Sequence, residues 1–251
     1  MWSGNLITEF IFILDDWIAI TILTLIAGIA MPIGGAIAAI EHIRPRWLET
    51  EVRHSVIAFG GGALLAAVAL VLVPEGVENL HPLVIVLSFI SGGVTFMALD
   101  IFLAARATPA SQSVAMMADF IPEALALGAT FVVSRASGIL LAGIIALQNL
   151  PEGFNACREI TRSTQFSASR VIGVFALMAL LGPVAGLAGY FLLTDYPRIV
   201  SAIMLFAAGG ILYLIFQDIA PQSTLRQHWA PPLGAAAGFL LGILGKIAVE
   251  A

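Results

Sequence analysis

Residues 59–76 read FGGGALLAAVALVLVPEG, and residues 206–223 read FAAGGILYLIFQDIAPQS. Set 147 residues apart, Phe59 meets Phe206, Gly62 meets Gly209, Leu65 meets Leu212 and Pro74 meets Pro221. Each stretch is close to the run of about 20 apolar residues that crosses a hydrocarbon core about 30 Å thick. A second echo lies in the preceding apolar runs, where Pro32-Ile-Gly-Gly is matched by Pro183-Val-Ala-Gly. A third joins the middle of the chain: Ile121-Pro122-Glu123-Ala124 and Leu150-Pro151-Glu152-Gly153, 29 residues apart.

The rest of the chain fits a bilayer as solvent. Of its 251 residues, 60% are hydrophobic and 11% charged, against about 25% charged in soluble domains. Mean hydropathy is +1.01. A net charge of −5 without a Lys/Arg stripe excludes a nucleic-acid binder. The hydrophobicity excludes disorder. One cysteine, Cys157, excludes an intrachain disulfide framework and a CxxC metal cluster. No HExxH, GxSxG or P-loop is present, so neither an enzyme nor an ATP-driven pump is expected.

Eight apolar segments are expected to span: 17–40, 55–74, 83–104, 114–134, 137–157, 170–193, 199–218 and 232–249. Long continuous runs, rather than short alternating ones, predict helices and not a β-barrel. The chain then reads as an all-α integral membrane protein with a single transmembrane transporter domain. Met1–Leu14 is short, apolar and lacks a basic region, which reads as an interfacial helix or an extension of the first span rather than a signal peptide. With the N-terminus outside, the inner loops hold Arg44, Arg46, Arg53, Arg106, Arg158, Arg162, Arg170 and Arg226. The outer side holds Arg135, Arg198 and Lys246. That asymmetry predicts a cell-membrane protein with both termini on the outer side. The first three spans and the last three enter the membrane with opposite polarity, so the echoes predict an inverted 3+2+3 repeat. Such repeats, interrupted by proline, mark secondary transporters.

Five of sixteen acids fall inside the spans: Asp100, Asp119, Glu123, Glu152 and Asp218. An intramembrane acid costs several kcal/mol without a partner and marks a functional site. Asp119 and Glu123 are spaced i, i+4; Gln148, Asn149 and Glu152 share one face of the next span. No Lys or Arg lies at that depth, so the missing positive charge is a proton or a cation. Pro122 and Pro151 donate no amide and release the carbonyls of Ala118 and Leu147. Free carbonyls beside carboxylates suit hard cations. Helix kinks are expected at both prolines.

These residues resemble the ZIP family of divalent metal transporters (Zrt- and Irt-like proteins). Gln148-Asn149-Leu150-Pro151-Glu152-Gly153 is similar to the family's HNxPEG-like motif on span five. Asp119-Phe120-Ile121-Pro122-Glu123-Ala124 resembles its span-four partner more loosely. Gly92-Gly93 through Asp100 resembles span three, and Leu212-Tyr213 through Asp218-Ile219-Ala220-Pro221 resembles span seven. The resemblance implies eight spans, inverted three-span repeats and a metal site of Asp119, Glu123, Gln148, Asn149 and Glu152. Asp100 and Asp218 would line an inner exit path. The implied cargo is zinc, with no separate cofactor.

The departures change the chemistry. Asp119 and Gln148 stand where the family usually has histidine, and Phe120 replaces the polar residue of its two-metal arrangement. Residues 105–113 are too short for the family's His-rich loop. His42, His54, His81 and His228 are all placed in loops. An oxygen-only site suits manganese, with iron(II) also admitted, while zinc still binds carboxylates. Cys157 is expected to be buried and inert. Gly182-xxx-Gly186 and Gly234, Gly238 and Gly242 predict close helix packing within the chain, a homodimer being the alternative. Three rivals to transport of a divalent metal stay open: a proton-coupled carrier of another solute, an intramembrane metal-dependent enzyme, and a transport-dead metal sensor or scaffold.

Overall fold

The computed structural model describes residues 14–40, 46–78, 80–105, 109–193, 195–224 and 229–250, and these form helices without a strand. Met1–Ile13 lies outside them, so the expected interfacial segment does too. Helix α1 is Asp16–Ile40, α3 is Pro82–Ala104, α4 is Pro109–Val133, α5 is Arg135–Ser163 and α8 is Ala230–Glu250. Helix α2 runs from Arg46–Ala67 through a π-helical turn, Val68–Leu72, into Val73–Val77. Helix α6 joins Ala168–Ala179 to Leu181–Leu193, and α7 runs from Pro197–Leu214 through a π-helical turn, Ile215–Ile219, into Ala220–Ser223.

Six of these helices are long and apolar enough to cross a membrane: α1, α2, α3, α6, α7 and α8. Helices α4 and α5 occupy the places expected for spans four and five, and they carry the acids and amides. Helix α2 begins at Arg46, nine residues before the expected edge, because a helix keeps satisfying its own backbone after its side chains turn polar. This corrects the loop placement of His54, which lies in that helix and donates from Nδ1 to the Thr50 carbonyl at 2.6 Å. His81 stays in a connection and accepts from the Leu83 amide. His42 and His228 lie outside the described residues.

Packing sorts the helices into two groups. Helix α1 packs on α5 and α6, and α4 packs on α5 and α6. In the other group α2 packs on α8 and α3 on α7; α2 and α8 meet α5, and α7 meets α4. Only 11% of the apolar window of α3 is buried, and 17% of that of α8, against 61% in α1. Helices α3 and α8 are therefore the outer wall and α1 is central.

Glycine sets how closely these pairs approach. A Cβ at Gly62 would collide with the Ala235 carbonyl, and one at Gly238 with the Phe59 carbonyl, so α2 and α8 touch backbone to backbone. Helices α3 and α7 make the corresponding contact through Gly92 against Phe206 and Gly209 against Phe89. Gly234, Gly238 and Gly242 all face α2, so this stripe serves packing within the chain. Gly182 and Gly186 likewise face Thr24 of α1 and residues of α4.

The two π-helical turns also correspond. The Val73 amide donates to the Val68 carbonyl and the Ala220 amide to the Ile215 carbonyl, each five residues back. Each turn precedes a proline, Pro74 or Pro221, that has no amide to donate, and the ladder re-registers there. The turns are 147 residues apart, the separation of the sequence echo.

Candidate metal site

Helices α4 and α5 are joined by one extended residue, Ser134, whose hydroxyl caps α5 by accepting from the Ser137 amide. A Cβ at Gly138 would strike Phe131, so the hairpin closes only over glycine. A one-residue connection forces α4 and α5 to be antiparallel neighbours. Eleven residues back from Ser134 along α4 and fourteen forward along α5, Glu123 meets Gln148.

Gln148 Nε2 donates to Glu123 Oε1 at 2.6 Å. Both residues are buried, at 4% and 5% exposure. Glu123 Oε2 and Gln148 Oε1 remain buried without a hydrogen-bond partner. Two orphaned acceptors on one hydrogen-bonded pair cost free energy unless a cation or a proton joins them. Asp119 lies one turn from Glu123 on α4, and Glu152 one turn from Gln148 on α5. Glu152, Glu123 and Asp218 are the carboxylates close enough to act electrostatically on Asp119. The predicted acids therefore gather along the α4–α5 seam. Among the described residues, however, no three of His, Cys, Asp and Glu are arranged around one point as a ready cage. The donor set that fits a cation here is of mixed carboxylate and amide oxygens.

Asn149 is the exception to the expected convergence. Its Nδ2 donates to the Ala27 carbonyl of α1 at 2.9 Å. At 100° per residue, position 149 is turned from the Gln148–Glu152 face toward α1, where Gly34 and Gly153 let the helices touch. Pro122 and Pro151 lie inside unbroken helices. The re-registered turns stand before Pro74 and Pro221. Phe120 fills the approach of α4 to Gly182 on α6. Cys157 is free and buried.

Asp100 and Asp218 sit together on α3 and α7: Tyr213 donates from its hydroxyl to Asp100 Oδ2 at 3.0 Å, and Asp218 lies within electrostatic reach of Asp100. Acids thus continue from Glu123 through Asp119 and Asp218 to Asp100. Sequence reasoning missed three polar residues of this architecture. Tyr213 was visible only as part of the span-seven pattern. Asn155 follows Glu152 by three residues, a spacing that could have raised it. Glu75 belongs to a third Pro-Glu pair, Pro74-Glu75-Gly76, and accepts from the Ser137 hydroxyl at 2.6 Å, tying α2 to the start of α5.

At the other end of the seam, Arg135 donates to Asp16 and to the Leu14 carbonyl, and its guanidinium lies over the Phe131 ring. Tyr190 donates to Asp16 Oδ2 at 3.4 Å, so α1, α5 and α6 are tied at one level. Lys246 Nζ donates to the Leu70 carbonyl at 3.1 Å. That carbonyl is four residues before Pro74, in the turn that lacks an amide donor.

No protein-family model matches the chain, and no curated protein sequence matches it significantly.

Proposed function

We propose that the chain is a secondary transporter that moves a divalent metal cation across a cell membrane, toward the cytoplasm, by alternating access. The observation that carries this reading is the pair of buried, unpartnered oxygens, Glu123 Oε2 and Gln148 Oε1, on adjoining helices with Asp119 and Glu152 one turn away. No packing role needs an acceptor-rich seam, whereas a divalent cation satisfies several acceptors at once. In this reading Glu123 and Glu152 are the central carboxylates, Asp119 and Gln148 complete the site, and Asn149 fixes α5 against α1. Asp100 and Asp218 receive the ion on its way out. Zinc follows from the ZIP resemblance. The oxygen donors favour manganese and admit iron(II).

We read the architecture as eight spans in an inverted 3+2+3 repeat with both termini on the outer side. The matched π-helical turns and the reciprocal glycine contacts of α2 with α8 and α3 with α7 support that reading. The test is elemental analysis of the purified protein beside Glu123→Ala plus Glu152→Ala, followed by liposome uptake of zinc, manganese and iron(II). Divalent metal retained by the wild type and lost in the double variant is the expected result. Absence of divalent metal from both removes the proposal.

A further inference from the structure

Beyond the residues already assigned to the site, α5 carries one more buried acceptor without a partner. Asn155 Oδ1 makes no hydrogen bond, although Asn155 is in mid-helix, eight residues before the helix ends at Ser163. An asparagine there is a poor helix former, and its orphaned oxygen adds a desolvation cost. Alanine would be cheaper on both counts. A ligand that uses the oxygen would reverse that balance.

Its place on the helix says which ligand. Gln148, Glu152 and Asn155 are spaced i, i+4 and i+7, one row on one face, rising about 10 Å in all at about 1.5 Å per residue. Pro151, four residues before Asn155, lies against Gly60 of α2. Residue 155 therefore stands at the edge of α5 between α2 and α4. On the facing helix, Glu123 and Asp119 descend in the same direction. The α5 row starts opposite Glu123, passes the level where Asp119 is acted on by Glu152 and Asp218, and ends in Asn155.

We propose that Asn155 Oδ1 is a further ligand of the cation path, one turn inward of Glu152, taking a divalent cation that prefers oxygen as it leaves the Glu123–Gln148 pair toward Asp218. An amide oxygen adds a ligand without adding charge. It raises the coordination number in the way hard ions require, while keeping the site weak enough to release them. This rests on the transport reading above, and the two fail differently.

The experiment is equilibrium binding of manganese(II) alone to the full-length purified protein, with thermal melting measured without metal. Asn155→Ala is expected to weaken manganese binding about tenfold and to leave the metal-free melting temperature unchanged or raised, because an orphaned polar group has gone. Asn155→Asp is expected to bind at least as tightly as the wild type. Binding by Asn155→Ala within twofold of the wild type, while Glu123→Ala abolishes it, overturns the role of Asn155 and leaves the transport reading standing. Weakened binding in both Asn155 variants together with lowered melting temperatures shows a structural asparagine and also overturns it. A wild type that takes up no divalent cation overturns both.

Discussion

The turn before Pro74 and the turn before Pro221 have the same backbone and opposite chemistry. Each is a five-residue π-helical segment closed by an amide bonding five residues back. Each sits in a helix whose glycine lies against a neighbouring carbonyl. Around the first, Lys246 donates to the Leu70 carbonyl. Around the second stand Asp218, Asp100 and Tyr213. Proline and glycine therefore set the backbone, and the flanking charges set the two turns apart. One turn is closed by a cation of the protein itself. The other is flanked by the carboxylates Asp218 and Asp100, which under the proposed function would meet the transported cation.

The largest effect expected along the acidic path is at its start. Glu123→Ala should reduce metal uptake into liposomes by at least about 100-fold, with the protein still folded by circular dichroism. Survival of uptake would remove Glu123 from the cation path.

The likeness of the two backbones is tested next. Gly62→Val and Gly209→Val each push a side chain into a carbonyl of the neighbouring helix. Each should cost about 1–3 kcal/mol or more, read as matched drops in melting temperature in detergent. Unequal drops would break the structural half of the comparison.

Lys246→Met should then cost about 1–3 kcal/mol, since the Leu70 carbonyl loses its donor, with metal binding left intact. Its counterpart, Asp218→Asn, should slow uptake severalfold and leave the melting temperature near that of the wild type. Loss of stability in Asp218→Asn with normal uptake would make both turns purely structural. The smallest effect belongs to Tyr213→Phe, at about 0.5–1.5 kcal/mol for one neutral-to-acid hydrogen bond lost, measured in the same melts.

Much of this is legible in the sequence. Apolar run lengths located the helices, although α2 started nine residues early because its polar first turns, Arg46 to His54, leave no hydropathy signal. The i, i+4 spacing of Asp119 and Glu123 and of Gln148 and Glu152 placed these residues on two faces, and the one-residue turn at Ser134 brought those faces together. The i, i+3 spacing of Asn149 to Glu152 groups it with its neighbour Gln148 on one face. A rotation of 100° separates them, and the close approach at Gly34 and Gly153 gives that neighbouring face to α1.

The chain's composition and periodicity decided that it is helical and apolar, where its acids and prolines fall, and which residues share a helix face. Those properties are local, since each helix satisfies its own backbone and shows its own stripe. Only tertiary packing decided that Gln148 takes one oxygen of Glu123 and leaves the other bare, and that Asn149 turns to Ala27. It also decided that Lys246 crosses from α8 to a carbonyl 176 residues away. A helical pattern specifies a face but not the neighbour it meets, and at these positions the neighbour is set by where glycine lets two backbones touch.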